Sequence, residues 1–151
     1  MSRMKAAHAT VSPSHRESAV KIRKALKAHW AASRVGDQEA EHAIYDKDVI
    51  CDYPQSGERI NGRRNLQALR AHHPGKPAGF RVRRMAGIGE FWLTEYIIEY
   101  EGRAYYTVSI MEFQDGKVWR ETQYFAESFA APEWRAQWVE RIPELTDALL
   151  L

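Results

Sequence analysis

The stretch that decides the fold runs from Phe91 to Phe129: FWLTEYIIEY, then Glu101-Gly102, then RAYYTVSIMEF, then Gln114-Asp115-Gly116, then KVWRETQYFAESF. Three runs dense in β-branched and aromatic residues are separated by two acidic-glycine pairs. β-Branched and aromatic side chains fit a pleated surface, and Asp-Gly or Glu-Gly between two such runs is a strong hairpin signal. The stretch therefore predicts three antiparallel strands in one long, strongly bent sheet. The chemistry of the protein is expected on one face of it.

The rest of the chain is organised around that ribbon. With 151 residues it fits one domain with a hydrophobic core. Lys and Arg number 22 against 20 Asp and Glu, and the net charge of +2 gives no general affinity for nucleic acid or acidic lipid. The lone cysteine, Cys51, allows no internal disulfide, so a reducing, cytoplasmic setting is expected. No apolar run approaches the roughly 20 residues of a membrane helix. There is no apolar segment before a cleavage site, so no secretory signal is expected.

Upstream of the ribbon, residues 1–15 are polar and without period, and read as a loose tail; His8 in it has no partner in sequence. From Arg16 to Val35, Ile22, Ala25, Leu26, His29, Trp30 and Ser33 recur at helical spacing and give one face toward a core. Gly36 stops that helix, and Asp37 caps a short second one from Gln38 to about Tyr45. Val49 to Tyr53 reads as a strand closed by Pro54, with a polar loop from Gln55 to Arg59. Asn61 is placed to cap a helix from Arg63 to His72 that turns Leu66, Leu69 and Ala68 inward. His72 and His73 are adjacent, so they point to different sides and make a poor metal pair. Phe80 to Met85 is a further strand, with Phe80 and Val82 inward and Arg81 and Arg83 outward. The basic residues there carry no aromatic stacking motif, so no nucleic-acid surface is expected. Beyond Phe129, residues 131–151 form an arm or short helix in which Trp134 and Trp138 need burial, within the domain or against a partner.

This order of helix, helix, strand ending in Pro, helix and further strands resembles the cone-shaped α+β fold called NTF2-like. The stretches SRVGDQEAEHAIYDKDVICDYPQSGERINGRRNLQALR and VSIMEFQDGKVWRETQYFA resemble its SnoaL-like branch, which includes polyketide cyclases and lies close to ketosteroid isomerases. The resemblance covers about residues 18 to 127. It implies a bent antiparallel sheet wrapped around the N-terminal helices, a small-molecule pocket inside, and a homodimer through the outer sheet face. In the steroid isomerases a general-base Asp precedes the proline that ends the first strand; Tyr53 stands there. Their oxyanion donors match His29 and Ser109, and the acid/base Asp of the cyclases matches Gln123. None of those acid/base sets is reproduced.

Parity along the ribbon then distributes the side chains. A two-residue Glu101-Gly102 turn sets Thr94 opposite Ser109 and Trp92 opposite Met111. The second turn reads two ways. Two residues put Glu121 on the face of Val108 and Ile110, whereas a three-residue Gln114-Asp115-Gly116 loop puts Glu121 beside Ser109. The family resemblance favours the longer loop. The inner face is then Trp92, Tyr96, Ile98, Ser109, Met111, Trp119, Glu121, Gln123 and Phe125: aromatic, with a few converging polar groups, as ligand pockets are built. The outer face is Phe91, Leu93, Ile97, Tyr106, Val108, Ile110, Val118 and Tyr124, with Glu112 and Arg120 as neighbours and Glu95 at a rim.

Two readings of function follow. In the first, a cofactor-free isomerase, dehydratase or cyclase-like enzyme acts on a hydrophobic or aromatic small molecule. Glu121 is then the proton-transfer base, His29 and Tyr53 its catalytic partners, and Trp92, Tyr96, Ser109, Met111, Trp119, Gln123 and Phe125 hold the ligand. In the second, the same pocket serves a non-catalytic binding or dimeric scaffold protein. No GxGxxG or Walker motif calls for a nucleotide cofactor, and no His/carboxylate spacing calls for a metal.

Overall fold

The computed structural model describes residues 12–143. The tail residues before Ser12, His8 among them, and the end of the C-terminal arm lie outside the described residues. Helix α1 spans Pro13–Val35 and so begins inside the stretch read as tail. The Ser12 side chain caps it by accepting from His15 N, and Pro13 occupies the first turn, where its missing N–H costs nothing. Gly36 ends it in the left-handed region, at φ 73°. Asp37 Oδ1 accepts from Ala40 N at 3.1 Å and caps α2, Gln38–His42. Both punctuation marks work as the sequence predicts.

Six strands follow in one sheet of order β2-β1-β6-β5-β4-β3. They are β1 Tyr45–Tyr53, β2 Glu58–Asn61, β3 Gly79–Ile88, β4 Phe91–Tyr100, β5 Arg103–Gln114 and β6 Lys117–Glu127, with helix α3, Arg63–Ala71, between β2 and β3. All neighbours are antiparallel except β1 and β6, which run parallel. Strand β1 starts four residues ahead of the expected Val49, and β2 takes up part of the expected polar loop. Just past the end of β1 at Tyr53 and the Pro54 that follows it, the Gln55 side-chain amide bonds both the N–H and the C=O of Phe125 on β6. The α3 cap also differs from expectation. It is Gly62, at φ 85°, with no side-chain bond, rather than Asn61. A β-branched or bulky residue would be strained there.

The turn that decides which way Glu121 faces differs from expectation, and yet Glu121 points inward. Asp115 and Gly116 both have positive φ, 51° and 76°, and Gln114 pairs with Lys117. This is a two-residue type I′ hairpin, whose twist matches that of the flanking strands. It is not the three-residue loop expected. Parity is restored three residues later: Phe113 pairs with Val118, but Glu112 pairs with Arg120. Trp119 is the extra residue of a β-bulge. Val118 therefore points inward and is fully buried, and Trp119 points outward with 38% of its surface exposed. Both placements reverse the expectation, whereas Glu121 and Gln123 face inward as expected. Glu121 lies opposite Met111 rather than Ser109.

The concave face closes on α1 through Ile22, Leu26 and Trp30 and on α3 through Leu66. Leu69 is 39% exposed and Ala68 is also outside, so α3 is rotated from its expected phase. The stripe it buries is Leu66 and Arg70, four residues apart. Trp92 pairs with Gly87 across β4 and β3 and packs against it, so that an added Cβ there would meet the indole at 2.3 Å. On the convex face, Glu95 pairs with Arg83 at 2.9 Å and with Arg84. Arg120 lies 3.9 Å from Glu112 but reaches Asp52 at 2.9 Å, and Arg59 closes on the same carboxylate at 2.6 Å.

Candidate functional site

The inner face of the sheet carries a buried polar cluster, and each member is there because of strand parity or helix phase. Glu121, on β6, stands beside Met111 on β5 and Cys51 on β1 and is fully buried. Ser109 Oγ donates to its Oε1 at 2.6 Å. Its Oε2 accepts from the Tyr45 hydroxyl at 2.7 Å and from Arg70 Nη2 at 3.1 Å, with Cys51 Sγ at 3.9 Å. The carboxylate acts only as an acceptor, and both of its oxygens are engaged. A buried charge is tolerable only when paired and hydrogen-bonded in this way.

Arg70 is the hub. Its Nη1 donates to the Tyr45 hydroxyl at 3.0 Å and toward His42 Nε2 at 3.4 Å, and its Nη2 also reaches Gln123 Oε1 at 3.4 Å. A second carboxylate, Glu41, approaches Nη1 to 3.6 Å. Burial is the main influence on Glu41 and raises its pKa against the pull of Arg70. His42 Nδ1 bonds the Gln38 carbonyl at 2.7 Å, which leaves Nε2 as the acceptor for Arg70. Burial, then Arg70, lowers the pKa of His42. Gln123 passes the network on, its Nε2 donating to the Tyr96 hydroxyl at 3.0 Å.

The residues proposed from sequence separate into three groups. Glu121, Ser109, Gln123 and Tyr96 are brought together. His29 and Tyr53 are not brought onto Glu121. His29 Nδ1 donates to the Glu41 carbonyl at 2.7 Å, and its ring meets Tyr45 edge-on at 5.6 Å, so Tyr45 stands between it and the carboxylate. Burial, then the Arg70 charge, pushes the His29 pKa down to about 3, and the ring is neutral. Tyr53 ends β1, half-buried, with Phe125 edge-on at 5.4 Å. Burial lifts its hydroxyl to about 12 against the opposing pull of nearby Arg70. The third group leaves the site. Trp119 is on the other face; Trp92 and Met111 stay on the inner face, Met111 beside Glu121, but as packed core residues, 2% and 1% exposed, that offer no wall to a ligand. Thr107, between Tyr96 and Phe125, has a buried hydroxyl without a hydrogen-bond partner among the described residues.

Sequence reasoning missed Arg70, Tyr45, His42 and Glu41. A helical stripe of Leu66 and Arg70 at four-residue spacing is present in the sequence, but it competes with Leu66 and Leu69 at three, and hydropathy favours the second. Tyr45 falls at the boundary between a helix and a strand, the least legible kind of position. No group of three or more His, Cys, Asp or Glu that could hold a metal ion occurs among the described residues.

A curled six-stranded sheet closed by helices around a small buried polar cluster defines an α+β cone. The crystal structure of an NTF-2 like protein of unknown function from Burkholderia xenovorans LB400 is 68% identical, covers 83% of this chain and 98% of that one, and superposes with a TM-score of 0.78. The chain belongs to the NTF2-like family. A putative ketosteroid isomerase from Kribbella flavida DSM 17836 is 25% identical over 82% of this chain and 91% of that one, with TM-score 0.74. An M. tuberculosis LEH-like epoxide hydrolase, 19% identical over 71% and 84% of the two chains with TM-score 0.60, shares the fold. No family model matches the sequence, and no curated protein matches it.

Proposed function

We propose that the protein binds a hydrophobic or aromatic small molecule at the open end of the cone, without a cofactor. The observation that carries this reading is the pair Tyr53 and Phe125, half-buried and edge-on at 5.4 Å beside the Arg70 cluster. Along the same inner face, Ile98 and Tyr105 pair across β4 and β5 and are also half-buried. Aromatic walls around a few fixed polar groups are how small-molecule sites are built. The Arg70–Glu121 pair is then the rigid polar floor, and Glu121 holds Arg70 as its counter-charge. A thermal-shift screen of small aromatic and polycyclic compounds tests this. Ligands that stabilise the wild type should lose their shift in Tyr53→Ala and Phe125→Ala. Equal shifts in all three proteins would overturn the site.

A second reading, proton-transfer catalysis of the isomerase, dehydratase or cyclase kind, is favoured by one specific feature. Glu121 holds two protic hydroxyls, Tyr45 and Ser109, one on each oxygen. In this reading the cluster opens to admit the substrate to the buried Tyr45 or Ser109 hydroxyl, which takes the substrate proton as it passes its own to Glu121. Turnover that survives Tyr45→Phe and Ser109→Ala but is lost in Glu121→Gln would exclude that relay.

For assembly, we propose a homodimer through the outer sheet face, where Phe91, Trp119 and Tyr124 are 50%, 38% and 43% exposed. Exposed aromatic residues on a sheet face, here interspersed with ion pairs, are a pattern that a partner covers. Sedimentation of the full chain over a concentration series should show a dimer. The cytoplasm is the proposed setting, on the strength of the single buried thiol of Cys51.

A further inference from the structure

Past β6 the chain turns its apolar residues outward. Phe129 is 79% exposed, and Trp134 and Trp138 are each 72% exposed. The two tryptophans sit on a 3-10 helix, Glu133–Trp138, and Arg135 stands over the Trp134 ring at 5.9 Å. Tryptophan and arginine are the residue types that anchor protein interfaces, in pockets that exclude water. The arm is rooted firmly: Ser128 N–H donates to the Ala104 carbonyl on β5 at 3.2 Å. From there residues 128–132 run without regular structure to Pro132, which is extended at φ −67° and ψ 141°. The proline holds that direction.

A receiving surface exists on the same chain. The convex face has an open groove of about 270 Å³, floored by Ile97, Tyr106, Val108 and Tyr124, with Glu95 at one end and Gln55 at the other. That volume falls below the roughly 300–1,000 Å³ of a small-molecule pocket and suits a large side chain. Phe125 and Ala126 line the groove, and the arm begins two residues further along the same strand. None of residues 128–143 lines the groove, so the arm leaves its own groove open. The groove also lies within the apolar face that the proposed dimer covers, so a copy arriving there brings its own arm with it.

We infer that the arm seats one tryptophan of the Trp134/Trp138 pair in the outer-face groove of a second copy of this chain, the other packing at its rim, and that the second copy returns the contact. Such reciprocity is what a two-fold interface requires. The inference rests on the dimer reading, and the test separates the two. Cys51 is buried, so a cysteine added at an exposed position is the reactive one. Full-length chains carrying Ala126→Cys, beside the groove, and Gln137→Cys, on the arm, are mixed in equal amounts and oxidised with copper phenanthroline. Disulfide dimers of unlike chains should form at least five-fold faster in the mixture than like dimers form in either protein alone. Sedimentation should show the Trp134→Ala/Trp138→Ala protein dissociating at a concentration at least ten-fold higher than wild type. A dimer by sedimentation with no preference for unlike cross-links and no effect of the tryptophans overturns the arm and keeps the dimer. A monomer at all concentrations overturns both. A chain carrying both cysteines that closes within itself at every dilution shows the arm on its own groove and also overturns the inference.

Discussion

The two faces of this sheet each carry residues of the kind usually found on the other: a buried polar cluster within the concave core and exposed aromatics among the convex ion pairs. The concave face, sealed under α1 and α3, holds Glu121, Gln123 and Ser109 with the Arg70 guanidinium above them. The convex face exposes Phe91, Trp119 and Tyr124. One strand supplies both patterns, since Glu121 and Tyr124 are three residues apart on β6. Burial on the concave side therefore cannot be explained by hydrophobicity alone. It depends on a closed set of hydrogen bonds and opposite charges, and it is brittle because each member leaves another unpaired. The convex side has only surface ion pairs, Glu95 with Arg83 and Arg84 and Asp52 with Arg59 and Arg120, and its exposed aromatic residues have no such partners among the described residues. Its residues are costly only in what they expose, and a partner removes that cost.

That contrast can be broken at several points. Glu121→Ala should produce the largest effect, about 3–5 kcal/mol of lost stability in urea unfolding, because it leaves the Arg70 charge buried without its partner. A loss under 1 kcal/mol would mean that the concave cluster is not a closed set. Val118→Ala should cost about 2 kcal/mol and Gly87→Ala about 1–3 kcal/mol, the first by leaving a cavity and the second by driving a methyl into Trp92.

Protonation gives the next test. The His29 pKa is about 3 in the folded protein against an ordinary value of 6.5, so the unfolded chain binds the extra proton between those pH values. Stability should then fall as pH drops below about 6.5, by up to about 1.4 kcal/mol per pH unit for this one group. His42 adds in the same direction, and Glu41, whose folded pKa is raised, acts in the opposite one. Comparing His29→Gln with wild type between pH 7 and pH 5 isolates the His29 share. A parallel pair of stability curves would remove the buried neutral histidine from the account. The smallest effect belongs to the convex side. Trp119→Ala should change the stability of the isolated chain by no more than about 0.5 kcal/mol. If Trp119 proved more costly than Val118, the bulge would be misplaced.

Much of the scaffold is legible in the sequence because its signals are local. Gly36, Asp37, Glu101-Gly102 and Asp115-Gly116 each act through the dihedral angles or donors of a few adjacent residues. The inward direction of Glu121 was also legible, but through a loop of the wrong length, and the bulge at Trp119 compensates for it. A bulge has no strong local signature; it arises from competition between burying Val118 and burying Trp119, which the tertiary structure decides. The hub of the site was hidden for a related reason. Arginine at position 70 reads as a solvated helix residue until Glu121, distant in sequence, gives it a reason to be inside. Tyr45 and Glu41 depend in turn on where Arg70 goes. The polar cluster is a long-range solution, and only its strand half could be read from residue order.

The Gln55 amide has a consequence outside the site. Strand β1 stops at Tyr53 while β6 continues to Glu127, so the backbone of β6 beyond that point would present a free edge. Another chain's strand could add to such an edge, which is how sheets begin to aggregate. By bonding both the N–H and the C=O of Phe125, the Gln55 side chain serves as one residue of a missing strand. It closes a hydrogen-bond template, so this one amide acts as a guard on solubility, and a screen for colloidal stability would find its loss before an activity assay did.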